Sequence, residues 1–148
     1  MVKIDKNDQL IIELLRQDSK RTVQQLAQRL ALPPTTVHNR VKRLEQLGII
    51  KGYTILVDNA ALGKGLTAHV LVTVSSRTPA GIRVSQEDVA REIRNSGAEQ
   101  VSVVTGGADI IATVHAKDLA ELNDIVVRKL RSIDGVDKTQ TMIVLNTF

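Results

Sequence analysis

Within the stretch PTTVHNRVKRLEQL, from Pro34 to Leu47, the residues Thr35, Thr36, His38, Asn39, Lys42 and Arg43 gather hydroxyls, an imidazole, an amide and two cations. That set suits a reader of the DNA major groove. Asn pairs bidentately with adenine N6 and N7, Arg pairs with guanine O6 and N7, and Lys meets phosphates. Asn39 and Arg43 are therefore the base-reading candidates, with Lys42, Lys20 and Arg21 assigned to phosphates. At helical spacing Val37, Val41 and Leu44 form a packed stripe, while Thr35, Asn39, Lys42 and Gln46 point the other way. Arg40 lies beside the stripe, which assigns it to an ion pair with an acid of the first helix, Asp8 or Glu13. The same features fit an ordinary solvated amphipathic helix, and the stretch alone leaves both readings open.

The sequence holds no other chemistry of comparable density. There is no Cys, and His38, His69 and His115 lie too far apart to share a metal-ligand spacing. No Gly-x-Ser-x-Gly elbow, phosphate loop or Rossmann glycine pattern pairs a nucleophile with a base, so no enzymatic activity is expected. His69 and His115 are expected to be satisfied strand or interface residues. No apolar run approaches the ~20 residues of a membrane span, and the N-terminus, with Lys3, Asp5 and Lys6, lacks an apolar signal region. A cytoplasmic location without membrane contact is expected.

Charge distribution sharpens the first reading. The net charge is +4, yet residues 1–51 carry ten Lys or Arg against five acids, whereas the remainder carries ten against eleven. The whole positive excess sits in the N-terminal third, as expected of a nucleic-acid-binding module joined to a module with another task.

The elements that must position these residues follow from caps and periodicity. Asp5 with Asp8 forms a capping pair before Ile11, Ile12, Leu14 and Leu15, predicting a first helix from Lys6 to Gln17. Thr22 caps a second helix with its stripe at Val23, Leu26, Ala27 and Leu30, and Ala31-Leu32-Pro33 makes a tight connection. Pro34 suits the first position of the third helix, and Gly48 stops it. Three short helices with this last connection have the helix-turn-helix layout. Ile49, Ile50, Tyr53, Ile55 and Val57 then predict a wing or bridging strand, and residues 52–65 serve as bridge and hinge.

From residue 66 to 148 the order is strand, helix, strand, strand, helix, strand. The strands are expected near 66–75, 100–105, 109–116 and 136–145, the helices near 86–96 and up to Arg131. Ser85 with Asp88 and Asp118 with Glu121 cap the helices, and a loop with Pro79 and Gly81 follows the first strand. This is the ferredoxin-like βαββαβ arrangement, so the fold class is α+β, a winged helix-turn-helix domain followed by a ferredoxin-like domain. With Val70, Val72 and Val74 on one face, the other is expected to carry His69, Leu71, Thr73, Ile111, Thr113, His115, Thr139, Thr141, Ile143 and Leu145. A second face so apolar predicts a partner sheet, and so a dimer or larger assembly. An RNA-binding βαββαβ domain would need aromatic residues on that sheet, and the only ones are Tyr53 and Phe148.

At this point the sequence resembles the Lrp/AsnC, or feast/famine, transcriptional regulators. The resemblance runs through Ile4-Asp5 with Asp8, Leu26, Leu30, Leu32, Pro34-Thr35, Arg40-Val41, Arg43-Leu44-Glu45, Gly48-Ile49-Ile50 and Gly52-Tyr53. Farther on, Gly106 with Asp109 resembles the family's Gly-Asp-x-Asp loop, and Thr139 with Thr141 its Thr-x-Thr. Pro33 stands where the family commonly has a capping Ser, and Gly107 where the loop usually has an acid. The resemblance implies a regulator that binds double-stranded DNA and assembles from dimers into tetramers or octamers, with an amino-acid effector bound between dimers. It also implies an effector pocket in which the amides of Gly106 and Gly107 hold a carboxylate while Asp109, Thr139 and Thr141 take the rest of the ligand. A plain hairpin turn accounts for the same glycines without any ligand. A ferredoxin-like ligand-binding domain or enzyme with a basic DNA-tethering appendage is the alternative architecture of function.

Overall fold

The fold is taken from a computed structural model that describes residues 4–78 and 80–147. Lys3, Pro79 and Phe148, named above, lie outside the described residues. The chain divides into two compact units, Met1–Leu56 and Val57–Phe148.

The first unit is built from α1 (Lys6–Gln17), α2 (Val23–Leu30) and α3 (Pro34–Gln46). Each start is set by local chemistry. At α1 the Asp5 carboxylate accepts from the Asp8 N–H at 2.9 Å and the Asp8 carboxylate accepts from the Asp5 N–H at 3.2 Å, a complete capping box. Thr22 and Gln25 form the same reciprocal pair at α2. At α3, Pro33 supplies no side-chain cap and Pro34 takes the first position, where its missing N–H costs nothing. Between α2 and α3 the chain turns through Ala31 at φ 51, the left-handed region. Ile11, Leu26, Ala27, Val37 and Leu44 close the core between the helices. Fully burying a side chain such as Val37 or Leu44 contributes roughly 1.5–3 kcal/mol, so the stripe read from the sequence holds α3 in place.

The second unit is a four-stranded antiparallel sheet of β1 (Leu66–Val74), β2 (Gln100–Val103), β3 (Ile110–Ala116) and β4 (Val136–Ile143), ordered β2-β3-β1-β4. One face carries α4 (Gln86–Asn95) and α5 (Leu119–Asn123), which widens into a π-helix over Asp124–Leu130. Their Val89, Ile93, Leu122, Val126 and Leu130 pack on Ala68, Val70, Val72, Ile110, Ala112 and Val114 to form one core. The caps are local again: Ser85 accepts from the Asp88 N–H and Asp118 from the Glu121 N–H. The strand order is that of a ferredoxin-like sheet.

Two expectations fail here. The segment 49–57 forms no strand, although its residues favour one, because no other segment among the described residues offers it a ladder. Tyr53, Ile55, Leu56 and Val57 lie exposed along it. The second failure is one of face. Thr139 stands opposite Val72, Thr141 opposite Val70 and Ile143 opposite Ala68, so these three point to the helix side with the core residues. Lys138, Gln140 and Met142 take the open face instead, across from Thr73, Leu71 and His69. A shift of one residue in register exchanges every side chain between faces, which is why parity assigned without the pairing went wrong for β4.

Candidate nucleic-acid interface and effector loop

Helix α3 presents Thr35, His38, Asn39, Lys42 and Arg43 to solvent, and Thr36 is half-buried beside them. What fixes this row is on its inner side. Arg40 Nη1 lies 2.6 Å from Asp5 Oδ2 and 2.8 Å from Asp8 Oδ1, clamping α3 to the first turn of α1. The predicted partner Asp8 is thus present, Asp5 joins it, and Glu13 makes no ion pair among the described residues. Asp8 is the one buried charged residue among those described, with 0 % of its surface exposed. It also has Arg43 Nη1 3.5 Å from its Oδ2, so the guanidinium assigned to guanine is anchored at its inner edge.

Because the Asp8 N–H and then the Arg40 guanidinium hydrogen-bond to its charged form, the Asp5 carboxyl is held below its ordinary value of 3.8. The same contacts, Asp5 first, raise Arg40 above its usual range. Asp5 therefore binds its proton more readily in the unfolded chain. Its stabilisation is complete above pH 3.8 and is lost as pH falls through the lower folded value. Unfolding of the first unit followed from about pH 5 to pH 2 should show this acid limb, and Asp5→Asn should flatten it.

Of the phosphate candidates, Lys20 is exposed, whereas Arg21 has only 15 % of its side chain exposed. Arg21 Nη1 donates to the Leu14 carbonyl at 3.0 Å, and its Nε stands 3.9 Å from Asp18 Oδ2, so it closes the end of α1. Tyr53 Oη donates to Glu45 Oε1 at 2.8 Å, and burial, followed by that carboxylate, raises the phenol's pKa.

In the second unit the loop Gly106–Asp109 joins β2 to β3, with Gly106 at φ 134. Asp109 is already engaged: Oδ2 accepts from the Val74 N–H at 2.8 Å and Oδ1 from Gln86 Nε2 at 2.7 Å. The first bond satisfies an amide at the register shift between Thr73 and Val74, where the β1–β4 ladder is interrupted. Asp109 N donates to the Val72 carbonyl, and Thr139 pairs with Val72 from the opposite strand. The loop and Thr139 therefore share one level of the sheet, on either side of β1 and so about 10 Å apart. Thr141 lies two residue pairs farther in, opposite Val70. His115 is bonded to Thr67 Oγ1 and to the Glu99 carboxylate, and His69 to Thr113 Oγ1, so both histidines are satisfied strand residues.

Comparison with known proteins assigns both units. Residues 4–51 match a family model described as winged helix-turn-helix DNA-binding, and residues 67–148 match the Lrp/AsnC ligand binding domain. The chain belongs to the Lrp/AsnC family. An HTH-type transcriptional regulator of Pyrococcus furiosus is 36% identical over 141 residues, covering 95% of this chain and 91% of the relative. The HTH-type transcriptional regulator FL11 of Pyrococcus abyssi is 31% identical, covering 99% and 92%. Among solved structures, a Neisseria meningitidis transcriptional regulator in complex with L-Met superposes with a TM-score of 0.86 at 28% identity, covering 97% of this chain and 91% of that one. LrpC of B. subtilis gives 0.84 at 28% identity, covering 99% and 98%.

As an Lrp/AsnC regulator, the protein is a DNA-binding transcription factor with a ligand-binding domain, and no described helix is long and apolar enough to cross a membrane. Sequence reasoning missed Asp5 as an ion partner, Gln86 and the Val74 amide as the partners of Asp109, and Val23 beside the reading row. Only Asp5 carried a signal, since a capping acid within reach of α3 leaves one carboxylate oxygen to spare.

Proposed function

We propose that α3 is the recognition helix and that the regulator binds pseudo-palindromic sites in double-stranded DNA as a dimer or larger assembly in a prokaryotic cytoplasm. The observation that carries this is the row Thr35, His38, Asn39 and Lys42, exposed on a helix whose opposite side is fastened by Val37, Leu44 and the Arg40 clamp. A rigid helix loses little freedom on binding, so its side chains can discriminate bases. Double substitution Asn39→Ala and Arg43→Ala is expected to abolish sequence preference in a binding assay while leaving oligomer size unchanged. Operator preference surviving in the double variant would refute the assignment.

For the second unit, we propose an amino acid or similar small molecule as effector, held between dimers near Gly106, Gly107, Asp109, Thr139 and Thr141. The L-Met complex of the Neisseria relative supports the class of ligand. The spacing of these residues across β1 supports a site completed by a second copy. With both Asp109 oxygens engaged, the glycine amides are the groups in this loop that can take a carboxylate. Binding would alter DNA affinity only through the ligand's different affinity for two assembly states, a coupling of typically about 1–3 kcal/mol. Calorimetric titration with the twenty amino acids should find a binder that Gly106→Val abolishes, and no binding by any of them would overturn the effector proposal.

A further inference from the structure

Between the N-termini of α2 and α3 lies an open notch of about 530 Å³, lined by Thr22, Val23, Pro34, Thr35, His38 and Asn39 together with Gln24. Val23 and Pro34 are the first residues of their helices and both line the notch, so each helix contributes an apolar side chain to it. Asn39 and His38 stand at the lining, and neither side chain has a hydrogen-bond partner among the described residues.

We infer that this notch is a subsite for the 5-methyl group of a thymine lying beside the adenine that Asn39 reads. It rests on α3 being the recognition helix and adds the base that the neighbouring position selects. Thymine alone among the bases shows a methyl group in the major groove, and apolar side chains are what recognise it. The lining holds no Arg or Lys to pair with guanine O6 and N7, and no carboxylate to accept from cytosine N4. The notch is continuous with the exposed row of α3, so a base pair docked on Asn39 brings its neighbour over Val23 and Pro34. Selectivity at that step therefore comes from two helices, with α2 contributing through Val23.

The test starts from the duplex preferred by the wild-type full chain and replaces each thymine in turn by deoxyuridine, which removes only the methyl and leaves the protein untouched. One thymine per half-site, adjacent to the adenine whose preference is lost in Asn39→Ala, is expected to weaken binding about fourfold on demethylation, as for one buried methyl. In Val23→Ala, which trims the apolar side chain that α2 contributes, that ratio is expected to fall below about twofold. If no thymine is sensitive while Asn39→Ala still erases the preference, the notch inference is overturned and the recognition helix stands. If a sensitive thymine keeps its full ratio in Val23→Ala, its methyl is held elsewhere and the inference also fails. If neither the methyls nor Asn39 matter, α3 is not the reader and both proposals fall together.

Discussion

Asp8→Ala is expected to destabilise the first unit by about 3 kcal/mol, the largest effect of any single polar substitution in it. Three consequences of the geometry add up at this residue. Its carboxylate, fully buried, is half of the capping box that starts α1. It faces Arg40 at 2.8 Å, and Arg43 at 3.5 Å, from a helix more than thirty positions on in sequence. Removing it leaves a guanidinium of which only 24 % is exposed with the half-exposed Asp5 as its remaining partner. A unit of this size is only marginally stable, so a loss on that scale consumes much of its margin. Asp8→Asn keeps the shape and one acceptor oxygen and should cost less. Denaturant unfolding should place the first unit in the order wild type, Asn, Ala, with the transition of the second unit unmoved. DNA binding should fall in the same order, because the clamp orients the reading row. A cost under about 1 kcal/mol for Asp8→Ala would show that the clamp behaves as an ordinary surface ion pair.

Gly135→Ala is expected to destabilise the second unit by about 3 kcal/mol. Gly135 turns the chain into β4 at φ +95, a conformation that costs an L side chain roughly 1–2 kcal/mol. A Cβ built there would stand 2.4 Å from Val84 Cγ1. Val84 cannot swing clear: it is β-branched, packs against the core, and its N–H donates to the Ser76 carbonyl at 3.2 Å. The Gly135 carbonyl also accepts from the Ser75 N–H at 2.8 Å, so the turn cannot relax without loosening the end of β1. Gly48 supplies the contrast, since its φ is +67 but nothing lies within 4 Å of an added Cβ. Gly48→Ala should therefore cost only the backbone strain, about 1 kcal/mol. Combining Gly135→Ala with Val84→Ala should relieve the clash and leave the strain, and thermal unfolding of the four variants measures each part.

What could be read from the sequence was what local chemistry decides. The caps at Asp5, Thr22, Ser85 and Asp118 each act within three residues, so α1, α2, α4 and α5 begin where the sequence places them. The stripe at Val37 and Leu44 and the stop at Gly48 likewise bound α3. What escaped depends on pairing across the chain. The face of Thr139 and Thr141 is set by their register against β1, which strand periodicity does not contain. Segment 49–57 has the composition of a strand, but a strand exists only with a partner ladder. The resemblance marked Asp109 as a ligand group, yet its bonds to Gln86 and the Val74 amide join positions 23 and 35 residues away. A still longer separation in sequence hid how close Val84 stands to the Cα of Gly135.

Base reading by α3 is tested most directly by selection of duplexes from a random-sequence pool by the full chain and by Asn39→Ala. The Asn39 side chain makes no hydrogen bond among the described residues, and replacing it leaves the Asp8 clamp intact. The wild type is expected to enrich a pseudo-palindromic motif with an adenine in each half-site, and Asn39→Ala to lose the preference at that adenine while keeping salt-sensitive binding to DNA. Enrichment of the same motif by both chains would contradict the assignment of the recognition helix.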